Sequence, residues 1–204
     1  MQILTNPTEL AAQCKAWHKA GDDIALVPTM GYYHQGHEDL MAFARTQAKR
    51  LVVSLFVNPT QFGPGEDLEA YPRNPERDAE VARSQGADAL FMPEPGAMYA
   101  PDHGTWVEVP DLSRGLCGLS RPVHFRGVCT VVLKLFMLTQ ADVAVFGQKD
   151  WQQQAILRRM VRDLDVPVRI ETRETVREAD GLALSSRNVY LSADERARAP
   201  EIRK

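Results

Sequence analysis

The chain has 204 residues, with 24 Lys+Arg against 27 Asp+Glu and a formal net charge of −3. Hydrophobic residues make up 44% and charged residues 25%, the balance of a globular protein that can bury a core without staples. The near-neutral charge argues against a nucleic-acid protein, which carries a basic excess, and the apolar stretches over 51–57 and 128–138 are too short to cross a membrane.

Asn6-Pro7-Thr8-Glu9 reads as a helix start, with a capping Asn and a Pro at the first helical position. Leu10, Cys14 and Trp17 recur at helical spacing until Gly21 ends the pattern. A short apolar strand follows over 24–27. Residues 38–50 return to helix, with Leu40, Met41, Ala44 and Ala48 on one face. The next strand, 51–57, is apolar on both faces. Asn74-Pro75 opens a helix that ends near Gly86, followed by a strand over 88–92 and a further short one over 105–109. The remaining pattern predicts a buried helix over 127–140, a strand over 143–146, a helix over 151–164 and a strand over 166–170. Alternating strands and helices imply an α/β fold, a parallel sheet wrapped by helices on both faces. The three cysteines, Cys14, Cys117 and Cys129, are odd in number and lack metal-ligand spacing. Residues 1–13 show no signal-peptide pattern, so a reduced, cytoplasmic chain is expected.

Three of these strands run straight into polar, Gly- and Pro-containing clusters: Pro28 to His37, Asn58 to Gly63, and Gly147 to Asp150. In a parallel sheet the C-terminal strand ends share one edge, where open α/β folds bind ligands. His34 and His37 stand three residues apart at a helix start, a place that favours phosphate. Gly31 and Gly36 there would let a bulky ligand approach the backbone. Lys149 can neutralise phosphate, and Asp150 can accept from a ribose hydroxyl or help hold a metal. Asn58 and Gln61 suit a hydroxyl- or carboxylate-bearing small molecule, although Asn58-Pro59 is also ordinary turn chemistry. Gln153 falls one helical turn after Lys149. Leu184-Ser185-Ser186-Arg187-Asn188 could clamp a polyphosphate. Glu66 and Asp67 read as a solvated acidic loop. Zinc is disfavoured, because no Cys or third His stands near the histidine pair.

Together these segments resemble a known family. Pro28-Thr29-Met30-Gly31 with His34-x-Gly36-His37 looks like the nucleotide motif of the nucleotidyltransferase superfamily. Phe56-Val57-Asn58-Pro59-Thr60-Gln61-Phe62, Tyr71-Pro72-Arg73, the run from Ser120 to Gly127, Phe146-Gly147-Gln148-Lys149-Asp150, and the run from Asp180 to Asn188 narrow the resemblance to the pantoate–β-alanine ligase family. The resemblance implies a Rossmann-like doubly wound sheet and ATP-dependent joining of pantoate to β-alanine through a pantoyl adenylate. It implies ATP as a substrate, Mg²⁺ on the ATP phosphates, no protein metal ligands and a homodimer. His37, His34 and Lys149 would be the catalytic set, with His37 treated as a proton donor. Met30, Gly31, His34, Gly36, His37, Gly147, Gln148, Lys149, Asp150, Val176, Leu184, Ser185, Ser186 and Arg187 would line the ATP site. Gln61, Gln153, Asn58 and Met30 would hold the small substrates. Tyr32-Tyr33 and Gln148 depart from the family pattern, the tyrosines standing in the pocket or packed beside it. Residues 1–176 would form the catalytic domain and 177–204 the Ser-Ser-Arg-Asn loop with the start of a small C-terminal lid domain. The rest of that lid would be missing, so binding would survive and turnover would be weak. The competing readings are another nucleotidyltransferase and a nucleotide-binding module without useful activity.

Overall fold

A computed structural model describes residues 1–203; Lys204, the last residue of the expected lid segment, lies outside the described residues. Six parallel strands form one sheet: β1 (Gln2–Leu4), β2 (Ile24–Thr29), β3 (Arg50–Leu55), β4 (Ala89–Phe91), β5 (Val143–Gly147) and β6 (Arg169–Arg173). The long helices are α1 (Pro7–Lys19), α2 (Gln35–Gln47) and α3 (Pro75–Ser84). Three single-turn helices follow, α4 (Pro95–Met98), α5 (Pro110–Ser113) and α6 (Cys117–Ser120). The chain continues through α7 (His124–Thr139), α8 (Trp151–Asp163) and the short α9 (Ala193–Arg198).

Alternation along β2 shows how the layers form. Ile24 and Leu26 pack with Leu10 and Cys14 of α1, Leu135 and Phe136 of α7, and Ile156 and Leu157 of α8. Ala25 and Val27 face the other way, with Met41 and Ala44 of α2 and Ala79 and Ala82 of α3. The strands are therefore apolar on both sides, as a covered parallel sheet requires. The doubly wound α/β architecture expected from the pattern is the one observed.

The strand order is β1-β4-β3-β2-β5-β6. From β2 the chain first builds outward through β3 and β4, then crosses back to place β5 on the other side of β2. That reversal leaves a crevice between the C-terminal ends of β2 and β5, the usual ligand position in such sheets. At the opposite edge Asp22, buried at the start of β2, pairs with Lys49 and Arg50, and Arg50 continues to Asp88. This network ties together the ends away from the crevice.

Some expected elements differ. No strand forms over 105–109; Val107 and Val109 pack on the core, and the Val107 N–H donates to Thr130 Oγ1 instead of to a neighbouring strand. The last strand starts three residues late, because Asp165 is left-handed at φ 49° and the Val168 N–H closes a turn onto Val166 O. Ladder pairing begins only at Arg169 opposite Val143. The three-residue β1 is too short to leave a periodic signal.

Candidate active site

The three clusters after β2, β3 and β5 do meet at the crevice, which has two compartments. The first is lined by Met30, Ser54, Asn58, Gln61, Tyr71 and one face of α7 (Val128, Val131, Val132, Leu135). The second is lined by His34, Gly36, His37, Gly147, Lys149, Val176 and Leu184. Pro28, Phe146, Asp150 and Gln153 belong to both and form the shared wall.

In the second compartment the histidines cap their own helix. His34 is the N-cap of α2, and its Nδ1 accepts the Gly36 N–H at 3.1 Å. His37 Nδ1 accepts the His34 N–H at 3.3 Å, and the two rings lie 4.1 Å apart. Since both Nδ1 atoms accept, each neutral ring carries its proton on Nε2 and presents a donor. Burial, followed by the Lys149 charge, lowers His34 to about 4. Burial, then His34 and Lys149, lowers His37 to about 3. Both imidazoles are neutral at pH 7. Gly36 is needed by this arrangement, because a Cβ there would stand 2.9 Å from the His34 ring. Gly31 likewise meets Asp78 and Leu55. Gly31 lines neither compartment and serves internal packing instead of ligand approach, whereas Gly36 serves packing and also lines the second compartment. Gly147 is the glycine with open space beside it on this wall.

The first compartment presents amides over an apolar floor. Asn58 is buried and fully committed. Its Nδ2 donates to Gly127 O and Gln61 Oε1, and its Oδ1 accepts from Tyr99 Oη and Thr60. It lines the wall, but its polar groups position Gln61 instead of reaching into the space. Gln61 is held by Nε2–H donation to Met30 Sδ at 3.0 Å, and its backbone carbonyl accepts from His124 Nδ1. Gln153 lines both compartments, and among the described residues its side chain makes no hydrogen bond. Ser54 Oγ, on the first wall, is likewise buried without a partner among the described residues.

The remaining expected residues fall around the rim. Gln148 faces a neighbouring groove instead of either compartment. Ser185 caps a 3-10 turn over Ser186–Tyr190, accepting the Arg187 N–H. Ser186 Oγ donates to Tyr32 O. Arg187 makes a two-pronged pair with Asp67, at 2.7 and 2.8 Å, and lies over the Phe62 and Tyr71 rings. Glu66 pairs with Arg121. The loop holding Glu66 and Asp67 is therefore an ion-paired rim, not a solvated run. Tyr33 is buried beside His37, and neither it nor Tyr32 lines a compartment. Sequence reasoning missed Ser54, Glu174, Thr175 and the lining face of α7. The α7 residues did carry a signal, a repeat at i, i+3, i+4 and i+7, but it also marks ordinary core.

The family model described as pantoate-beta-alanine ligase matches residues 2–204. The chain is 81% identical over 203 residues to the pantothenate synthetase of Desulfovibrio desulfuricans, covering 100% of this chain and 72% of that protein. It is 63% identical to that of Nitratidesulfovibrio vulgaris, covering 99% and 71%. A Thermus thermophilus pantothenate synthetase crystal structure superposes with TM-score 0.93 at 48% identity, over 98% of this chain and 71% of that one. A Francisella tularensis pantoate-beta-alanine ligase, complexed with beta-gamma ATP and beta-alanine, superposes with TM-score 0.94 at 34% identity, over 99% and 77%.

Proposed function

This chain belongs to the pantoate–β-alanine ligase family, and from that premise we propose how its two compartments divide the substrates. The enzyme is an ATP-dependent ligase that condenses pantoate with β-alanine to pantothenate, releasing AMP and pyrophosphate. A pantoate carboxylate oxygen bonds to the α-phosphorus as the bond to pyrophosphate breaks. The β-alanine nitrogen then bonds to the acyl carbon, AMP leaves with the carboxylate oxygen that had been bonded to phosphorus, and the amine loses its proton. No covalent bond to the protein is needed, so the protein's contribution is positioning and charge stabilisation.

The observation that carries the division is the shared wall. A carboxylate held by the Gln61 and Gln153 amides in one compartment faces a phosphate held in the other across Phe146 and Asp150. His34 and His37 direct Nε2–H donors at the phosphate oxygens, and Lys149 supplies the positive charge. His37 acts as a neutral hydrogen-bond donor at pH 7. Gly147 lets the nucleotide approach the backbone, Val176 and Leu184 pack against it, and Asp150 accepts from the ribose. Arg187 joins only after leaving Asp67. The apolar face of α7 receives the methyl groups of pantoate.

Mg²⁺ would enter on the ATP phosphates. Asp150 and Glu174 line the nucleotide compartment and could take a small share of the ion's coordination. That fits an ion keeping mostly phosphate and water ligands, with charge neutralisation as its contribution. We take residues 1–176 as the substrate-binding unit and 177–204 as the start of a second unit, bound to the first through Ser186, Arg187 and Tyr190. A cytoplasmic homodimer completes the proposal. Its support is an apolar groove on the α7 side of the sheet, away from the cleft, together with three free cysteines; no described helix is long and apolar enough to cross a membrane.

The test is exchange of labelled pyrophosphate into ATP, with and without pantoate and β-alanine. Exchange should require pantoate and not β-alanine. Exchange without pantoate would favour another nucleotidyl transfer. ATP binding with no exchange under any condition would sink the adenylation assignment.

A further inference from the structure

We propose that Asp78 is a positioning residue for the nucleotide compartment, its carboxylate bracketing the strained turn that carries the chain from β2 to the His34–His37 pair. Asp78 is fully buried on α3. Its Oδ2 accepts the Tyr32 N–H at 2.6 Å and its Oδ1 the Tyr33 N–H at 2.8 Å, so both oxygens are spent on consecutive peptides. The turn needs such a hold. Gly31 has φ 90° and Tyr32 has φ 52°, a conformation that an L side chain adopts only where its surroundings impose it. The same peptide is gripped from its other side, because Ser186 Oγ donates to Tyr32 O at 3.1 Å.

The consequence for the site follows from position along the chain. Tyr33 is the next residue, and its ring lies 5.3 Å from that of His37. His34 comes next and caps α2, so the direction in which α2 leaves β2 is set at the bracketed peptides. Both Nδ1 acceptor bonds, which turn the Nε2–H donors outward, depend on that exit. The approach is close enough to dictate Gly31, where a Cβ would stand 2.9 Å from Asp78 Oδ2. Asp78 itself touches neither compartment. Among the described residues no cation bonds to it; the peptide dipoles take the place of a counter-ion.

The inference rests on the assignment of ATP to the imidazole compartment, and its test is separable from that assignment. Asp78→Asn keeps the shape but leaves one peptide N–H facing an amide NH₂. Pyrophosphate exchange is measured against ATP and against pantoate, with active sites titrated, alongside hydrogen exchange at the Tyr32 and Tyr33 amides. The expected result is a rise in KM for ATP of about tenfold or more, KM for pantoate changed less than about threefold, and lost protection at both amides. Equal changes in both KM values, or a rate that falls only with the active fraction, would reduce Asp78 to a fold residue and overturn the proposal. If Asp78→Asn does not fold, Ser186→Ala removes the opposite grip, and the same split in smaller size is expected; no split would overturn the proposal. A wild-type enzyme that binds ATP without exchange would instead sink the assignment, with the amide protection still reporting on the bracket.

Discussion

His37 shows how one contact changes a side chain's chemistry. Its Nδ1 is occupied by a peptide N–H, and burial, with His34 and the Lys149 charge beside it, keeps the ring neutral. A neutral ring whose proton is forced onto Nε2 is a fixed donor, which needs no protonation event to stabilise charge developing on phosphate. Two outcomes follow. His37→Ala should slow pantoate-dependent exchange by roughly 100- to 1000-fold, the loss typical of one oriented donor. The wild-type rate should show no histidine limb between pH 5.5 and 7.5, and a limb near 6.5 that vanishes in His37→Ala would contradict the neutral donor. Stability carries the same sign. The unfolded chain protonates these imidazoles near 6.5, while the folded chain holds them at about 4 and about 3. Between those values the unfolded state binds more protons, so stability falls as pH drops from about 6.5 toward 4. The melting temperature should follow, with a shallower slope in His37→Ala.

Helix α7 illustrates what an element owes to a single small residue. Its Gly127 lies against the 3-10 turn Pro59–Gln61, and a Cβ there would stand 2.4 Å from Thr60 O and 2.5 Å from Gln61 N. Gly to Ala inside a helix ordinarily gains about 1 kcal/mol. Here backbone must move, at the about 1–3 kcal/mol typical of overpacking. Gly127→Ala should therefore lower the urea midpoint and raise KM for pantoate several-fold through Gln61, leaving KM for ATP nearly unchanged; a stabilised variant would show that the close approach does not matter. The same element marks where sequence reading stops. Its apolar repeat announced a buried helix, and the His34-x-Gly36-His37 and Gly147 to Asp150 clusters announced the crevice, because strand ends and helix starts are local signals. Asp78, Ser54 and the Arg187–Asp67 pair were not legible. Asp78 reads as one more acidic residue in a first turn, and its partners lie 45 and 46 residues away. Arg187 finds Asp67 across 120 residues. Such pairings exist only once the layers have packed. The strand expected over 105–109 failed for the complementary reason, since alternation shows which residues pack but not whether a ladder partner is in reach.

The whole molecule divides its surfaces by the same reversal of strand order that makes the crevice. One end of the sheet carries the Asp22, Arg50 and Asp88 network, the other the two compartments. Helix α7 has two roles in this division, because Val128, Val131, Val132 and Leu135 line the first compartment while Leu133, Met137 and Leu138 line a separate groove. That outer face, with Pro7 and Met98, forms a groove of about 450 Å³ that is predominantly apolar. Met137 is 57% exposed within it, and Trp106 nearby is 38% exposed. Exposed apolar surface of this kind marks an interaction site, and a self-complementary patch closes as a twofold dimer. Sedimentation equilibrium should give twice the chain mass at micromolar concentration. Met137→Glu places a charge in the groove and should shift the equilibrium toward monomer, by a factor of about ten for each 1.4 kcal/mol lost. The exchange half-reaction should survive in that monomer, because the groove side of α7 supplies nothing to the compartments. A wild-type chain that stays monomeric at high concentration would remove the dimer from the proposal, and a Met137→Glu dimer of unchanged affinity would move it to another face.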